Sequence, residues 1–256
     1  MLEWVLRGLR TGIVTTTYPR RPEPAPPGFR GRVEVTDARG ADEALEAVCP
    51  TGAIRVDGGD VSLDRARCVL CGACVTAAPQ RFRYAAAHET AARRRADLLE
   101  PPGVRASAGD ALPALAESAG PLRRSIHVRH VDAGSDGAEE WEIAALTNPY
   151  YDMQRLGLFF TLSPRHADIL LVTGAVTHPM RRPLERAYEA MPGPKAVVAA
   201  GTDACGGGFA ARGGEVVGGA DRVLPVTVWV PGAPPSPIAL LDGLLQAAGA
   251  VTGADA

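Results

Sequence analysis

Four cysteines carry the chemistry for which this sequence is equipped. Cys68, Cys71 and Cys74 stand in a Cys-x-x-Cys-x-x-Cys run, and Cys49, followed by Pro50, lies nineteen residues before it. A thiolate triplet at that spacing with one remote Cys-Pro is the ligand pattern of a [4Fe–4S] cluster. A cluster with no substrate motif beside it points to one-electron transfer. Four thiolates also suit zinc, but a zinc ribbon is built from two Cys-x-x-Cys pairs, and the third cysteine of the run fits that poorly. The expected site is therefore Cys49, Cys68, Cys71 and Cys74, holding one [4Fe–4S] cluster.

The rest of the chain must position those thiolates. Its 256 residues, 46% of them hydrophobic, suffice for one large domain or two ordinary ones. A net charge of −2 argues against nucleic acid as a partner. Five cysteines without a cleavable leader pattern at Met1-Leu-Glu-Trp suggest a reducing, cytoplasmic setting. No apolar run reaches the roughly 20 residues needed to span a bilayer.

Residues 1–11 predict an amphipathic helix, with Trp4, Val5 and Leu9 available to a partner, a membrane surface or the helix's own domain. Pro19 to Pro27 reads as an extended strap. The stretches 53–56 and 61–63 flank Asp57-Gly58-Gly59, a hairpin signal. Residues 85–100, rich in Ala and Arg, predict a helix, and 101–121 a linker. From 122 the pattern alternates, with strands over 126–131, 167–173, 195–200 and 223–230. A Gly-rich turn follows 200, and helices are expected over 139–147, 179–191 and 237–248. Such alternation favours a doubly wound parallel sheet.

The cysteine frame resembles a bacterial ferredoxin, in which the run Cys-x-x-Cys-x-x-Cys-x-x-x-Cys-Pro occurs twice and the fourth cysteine of each run serves the other run's cluster. Here Ala78-Pro79 closes the second run, and Arg39, Asp42 and Leu45 stand where the first run's thiolates belong. One ligand set is whole and the other is entirely absent, which implies one cluster. With Thr11-Gly12, Thr16-Thr17-Tyr18-Pro19 and Phe29-Arg30-Gly31, the first part of the chain resembles the ferredoxin subunit of formate hydrogenlyase-type complexes.

The second part resembles the small subunit of energy-converting [NiFe] hydrogenases, which is homologous to the corresponding subunit of NADH–quinone oxidoreductase. The matching stretches include Asp132-Ala-Gly-Ser135, the run from Glu140 to Asp152, Ser163-Pro-Arg-His-Ala-Asp-Ile169 and Val172-Thr-Gly-Ala-Val-Thr177. They continue with Met191-Pro-Gly-Pro-Lys195, Gly201-Thr202 with Gly206-Gly-Gly208, and Val230-Pro-Gly-Ala-Pro-Pro235. The resemblances imply an α+β ferredoxin-like domain over 1–100, a linker over 101–121, and an α/β flavodoxin-like domain with a parallel sheet over 122–256.

That family carries a second [4Fe–4S] cluster beside the large subunit's active site. This sequence has Asp136, Glu139, Asp203 and Ala233 where the resemblance would put its four thiolates, so that cluster is implied to be lost, and Cys205 alone cannot replace it. Asp136, Glu139 and Asp203 would then converge, and mutual repulsion should raise at least one carboxyl pKa. Solvated acids at a pocket mouth are the plainer expectation, and a proton or cation site the alternative. His127, His130, His166 and His178 are scattered, and Arg93-Arg94-Arg95 suits a solvated helix face. The resemblance implies for Arg165 a place at a large-subunit or quinone-side interface, and capping of the next strand is the equal alternative.

The resemblance implies an electron-transfer subunit of a membrane-associated complex, not catalytic alone, or else a structural adaptor with a vestigial cluster. Its implied partners are a hydrogenase-large-subunit-like protein, membrane subunits, and a redox donor or acceptor protein. Its implied place is the inner face of the cell membrane, where it would be peripheral and cytoplasmic.

Overall fold

The computed structural model describes residues 2–101, 112, 114, 115 and 125–249. Most of the expected linker lies outside the described residues. The first part runs α1 (Leu2–Thr11), β1 (Arg32–Val35), α2 (Ala44–Val48), β2 (Ile54–Asp57), β3 (Asp60–Asp64), α3 (Ala73–Ala77), β4 (Phe82–Ala85) and β5 (Leu99–Glu100). Strands β1 and β4 pair antiparallel, as do β2 with β3 and β3 with β5. The β2–β3 hairpin turns on Gly58 and Gly59, with φ of 60° and 86°. Two successive positive φ angles are what a two-residue type I′ turn demands, and glycine supplies them without strain. Val33, Ile54, Val61, Leu63 and Phe82 close a small core with Cys74 and Ala78.

Residues 85–100 do not form the expected helix. β4 ends at Ala85, Ala92 exchanges both backbone hydrogen bonds with Trp229 at 2.9 Å, and a single 3₁₀ turn over Arg95–Leu98 precedes β5. A distant pairing partner overrides local helix propensity here.

The second part runs β6 (Ile126–Asp132), α4 (Ala138–Ala145), β7 (Leu158–Phe160), β8 (Ile169–Thr173), β9 (Val176–Thr177), α5 (His178–Ala190), β10 (Ala196–Ala200), α6 (Gly201–Gly206), β11 (Val216–Gly218), β12 (Val228–Val230) and α7 (Pro237–Ala248). Five of these strands form one parallel sheet in the order β12-β10-β8-β6-β7. Within this sheet the second strand in sequence is at one edge and the rest follow 1-3-4-5, the flavodoxin-like order. Alternate residues of β8 and β10 face opposite ways. Ile169, Leu171, Ala196 and Val198 pack under α4 and α7, and Leu170, Val172, Val197 and Ala199 under α5 and α6. Burial on both faces explains why these runs read as continuously apolar. The last strand is shorter than expected: it covers only Val228–Val230, and residues 223–227, which include Pro225, run as turn and coil. The segment after β10 is helix α6 rather than an open Gly-rich turn.

The Pro-rich strap and the residues just before it lie on this second body, with Glu23 of the strap accepting from the Tyr150 hydroxyl. Tyr18 is 1% exposed, shares the core with Leu240, Leu241 and Leu244 of α7, and donates its hydroxyl to Asp242 Oδ1 at 3.1 Å. Arg155 ties the strap down by donating to the carbonyls of Thr16 and Tyr18 at 2.8 and 2.6 Å. Burial and the Asp242 carboxylate hold the Tyr18 phenol above its ordinary pKa, so it stays a donor. Tyr18→Phe removes a donor to a buried carboxylate and is expected to cost about 1–3 kcal/mol, read as a lower urea midpoint with an unchanged m-value.

A four-cysteine pocket and a buried carboxylate

Cys49 ends α2, Cys68 follows the 3₁₀ turn Arg65–Arg67, and Cys74 sits in the first turn of α3. The loop between Cys68 and Cys74 bends sharply at Leu70 and Gly72, with φ of 55° and 82°. Gly72 is needed twice, since a Cβ there would also lie 2.4 Å from the Tyr84 hydroxyl. That hydroxyl donates to the Leu70 carbonyl at 3.0 Å and fixes the bend. Cys49, Cys68, Cys71 and Cys74 thereby line one small pocket, walled by Val33, Ile54, Leu63 and Val69.

The pocket presents backbone N–H groups to sulfur. The Ala53 N–H donates to Cys49 Sγ at 3.2 Å, and Thr51 Oγ1 lies 3.5 Å from the same sulfur. Burial pushes the Cys49 thiol up, but the hydrogen bonds from Thr51 and from the N–H groups of Ala53, Thr51 and Ile54 outweigh it and leave a net lowering. Burial raises Cys68 to about 12 and also raises Cys74. The Leu70 and Val75 N–H groups oppose those shifts, while the neighbouring thiols reinforce them. A thiophilic group that replaces the protons suits such a set, because a cation relieves the repulsion among thiolates. Among the described residues, no three His, Cys, Asp or Glu side chains come close enough to hold a single metal ion.

The positions of the missing second ligand set are filled. Leu45 and Ala78 pack on the small core, and Asp42 Oδ1 accepts from the Ala44 N–H at 2.9 Å. Arg81 reaches across the 37–40 loop and donates to the carbonyls of Asp37, Arg39 and Gly40 at 3.2, 2.5 and 2.7 Å. A guanidinium thus holds a loop that carries no thiolate.

The second candidate region lies where the sheet order reverses, beyond the C-terminal ends of β6 and β8. Asp132 Oδ1 accepts from the N–H groups of Gly134 and Ser135 at 2.8 and 2.7 Å, which closes the turn into α4. Asp136 is exposed and Asp203 half-buried, but Glu139 is only 4% exposed. The expectation of solvated acids fails at Glu139. Burial first, then Asp203, Asp136 and Glu140, push its carboxyl up to about 7 against an opposing hydrogen bond from its own backbone N–H. Burial and Asp136 also raise Asp203. Asp136 and Asp203 thus act on Glu139, and Asp136 on Asp203, while no three ligating side chains among the described residues are close enough to hold a metal ion. Ala233 is exposed on the 231–235 loop, and Cys205 is buried elsewhere, donating to the Ala199 carbonyl at 3.3 Å.

Sequence reasoning leaves His130 among scattered histidines. Its Nε2 lies 2.9 Å from Thr173 Oγ1, which donates to Glu140 Oε1 at 2.6 Å, and Ser135 Oγ donates to Glu140 Oε2 at 2.9 Å. The available signal is period: His130 shares the strand face of buried Ile126 and Val128. At Arg165 the main chain, not the guanidinium, takes part in capping. Its N–H donates to Ser163 Oγ, which caps the 3₁₀ turn.

One residue joins the two regions. The Thr202 hydroxyl, at the start of α6, is 3.0 Å from both the Cys68 carbonyl and the Gly232 carbonyl. At Gly206, in the same helix, a Cβ would lie 2.5 Å from the Ala66 carbonyl, so the helix packs directly on the turn that leads into Cys68.

The sheet and its C-terminal loops have known counterparts. Residues 137–247 match the family described as NADH ubiquinone oxidoreductase, 20 Kd subunit. An uncharacterized protein of Methanocaldococcus jannaschii is 43% identical over 126 residues, which are 49% of this chain and 84% of that one. The chain belongs to the NADH ubiquinone oxidoreductase 20 Kd subunit family. Two further proteins of similar sequence have assigned names. Formate hydrogenlyase subunit 7 of Escherichia coli is 44% identical over 128 residues, half of each chain. A probable membrane-bound hydrogenase subunit of Pyrococcus furiosus is 44% identical over 126 residues, 49% of this chain and 75% of that one. The chain thus spans half the length of the formate hydrogenlyase subunit. A chain of the membrane-bound sulfane sulfur reductase, an archaeal respiratory membrane complex, is 28% identical, with 52% of this chain and 73% of that one covered and a TM-score of 0.45.

Proposed function

We propose that this protein is an iron–sulfur electron-transfer subunit of a membrane-associated complex related to membrane-bound hydrogenases and NADH–quinone oxidoreductase. The observation that carries this reading is the shared pocket lined by Cys49, Cys68, Cys71 and Cys74. These residues would hold one [4Fe–4S] cluster, which when bound supplies a one-electron couple. The small antiparallel sheets of two and three strands and the two brief helices around the pocket suit a ferredoxin-like domain. The chain's own groups set the environment. The N–H groups of Ala53, Leu70 and Val75 stabilise charge on sulfur, and Val33, Ile54 and Leu63 keep water from it. The third cysteine of the Cys68–Cys74 run fits a cluster better than a zinc ribbon built from two Cys-x-x-Cys pairs.

Family membership supports partners of hydrogenase-large-subunit type, together with membrane subunits. No described helix is long and apolar enough to cross a membrane. Helix α1 instead exposes Trp4, Val5, Leu6 and Leu9, an apolar surface suited to peripheral attachment. With Asp136, Glu139, Asp203 and Ala233 in place of thiolates, electrons would have no second cluster in this chain to reach a large subunit. That observation favours the second reading, an adaptor whose one cluster is stabilising.

Iron and acid-labile sulfide counts with EPR on the anaerobically purified complex test both. The expected result is about four irons per chain and one reducible signal. Zinc without iron would sink the redox reading, and iron with no reducible signal would leave the adaptor.

A further inference from the structure

We propose that Glu139, buried at the C-terminal edge of the sheet, is a proton-binding site that holds one exchangeable proton, with Asp136 and Asp203 acting on it. It stands apart from the four-cysteine reading and does not depend on it.

Geometry carries the inference. Glu139 is 4% exposed, and its Oε2 is buried with no hydrogen-bond partner among the described residues. An ionised carboxylate so placed would be an uncompensated buried charge, which proteins avoid by pairing it or protonating it. A hydrogen bond from its own backbone N–H favours the charged form, and the charged groups that act most on it are Asp203 from α6, Asp136 from the loop before α4, and Glu140 from its own helix. These three groups are anionic, so each strengthens the hold on a proton.

The main chain is shaped for these acids. A Cβ on Gly201 would lie 2.3 Å from Glu139 Oε1, and a Cβ on Gly208 would lie 1.6 Å from Asp203 Oδ1. Two glycines thus leave room for the two carboxyls. Exposed Asp136 and half-buried Asp203 give the proton a path to water. A metal ion is the rival occupant, yet no three acidic or other ligating side chains among the described residues are close enough to hold one. The upward displacement of the Glu139 carboxyl to about 7 agrees with a proton that exchanges near neutrality.

Infrared difference spectroscopy of the full chain, titrated from about pH 5 to pH 9, tests this. The expected result is one carboxylic acid C=O band that persists near neutrality and vanishes on the alkaline side. The band should shift when glutamate alone is labelled with carbon-13. It should be absent in Glu139→Gln, and in Asp203→Asn its midpoint should move to acid by at least about half a pH unit. The proposal is overturned by the absence of any band in that range. It is also overturned by a band insensitive to glutamate labelling, or by one that survives in Glu139→Gln. Loss of the band on adding stoichiometric divalent cation would assign the pocket to a metal instead. Should Glu139→Gln fail to fold, the labelling and the Asp203→Asn shift decide: an unmoved midpoint overturns the proposal.

Discussion

Cys68→Ser is expected to purify with almost no iron, against about four irons for the parent chain. Serine keeps the size of the side chain but offers a hard oxygen in place of a soft thiolate, and iron–sulfur cores select sulfur. Cys68 is the informative choice for two reasons. Burial raises it to about 12, so the free thiol is a poor anion and only an electrophilic group will displace its proton. Its carbonyl is also held by Thr202, so the chain cannot easily re-aim a neighbour into the gap. The control is Cys205→Ser: that thiol is buried against the Ala199 carbonyl, remote in role from the pocket, and its loss should leave iron unchanged. Iron and sulfide assays on the two variants make the comparison. Full iron in Cys68→Ser would contradict the ligand set, and equal loss in both would point to general unfolding.

The second large effect concerns stability and its pH dependence. Glu139 is held at about 7 in the folded chain, against an ordinary value of 4.5. The folded state therefore binds more protons than the unfolded state between those values. Stability from this group is full below about pH 4.5, falls as pH rises through about 7, and is level above it. The loss across that window is about 3 kcal/mol, at 1.36 kcal/mol per unit of displacement. Glu139→Gln has no such proton to lose. Its urea midpoint should match the parent on the acid side and exceed it at about pH 8, by an amount worth about 3 kcal/mol. Parallel midpoint curves for the two proteins would show that Glu139 ionises without cost.

Much of this is legible in the sequence. The cysteine spacing points to four residues that share one pocket, and the apolar runs at 167–173 and 195–200 mark central strands, because a strand covered on both faces has no polar alternation to hide. What stays hidden depends on partners far along the chain. Residues 85–100 carry a helical composition, but Ala92 finds an extended partner in Trp229. Glu139 lies in the first turn of an acidic helix and reads as solvated, yet its carboxyl packs against Gly201 at the start of α6, far along the chain. Arg81 reads as one arginine among many, since its partners are main-chain carbonyls that no side-chain pattern records. His130 is recoverable from strand phase alone, and the Thr202 bridge from nothing local.

The strap alters what counts as a part. Compositional borders divide this chain into a cysteine-bearing piece and a sheet-bearing piece, as though two ancestors had been joined end to end. Tyr18 belongs to the first by sequence and to the second by location, seated among the α7 leucines with its hydroxyl on Asp242. The sheet-bearing piece, cut free at the border, would lack one of its own interior side chains. Any division of the chain at that border would need a substitute for that tyrosine in the sheet-bearing piece.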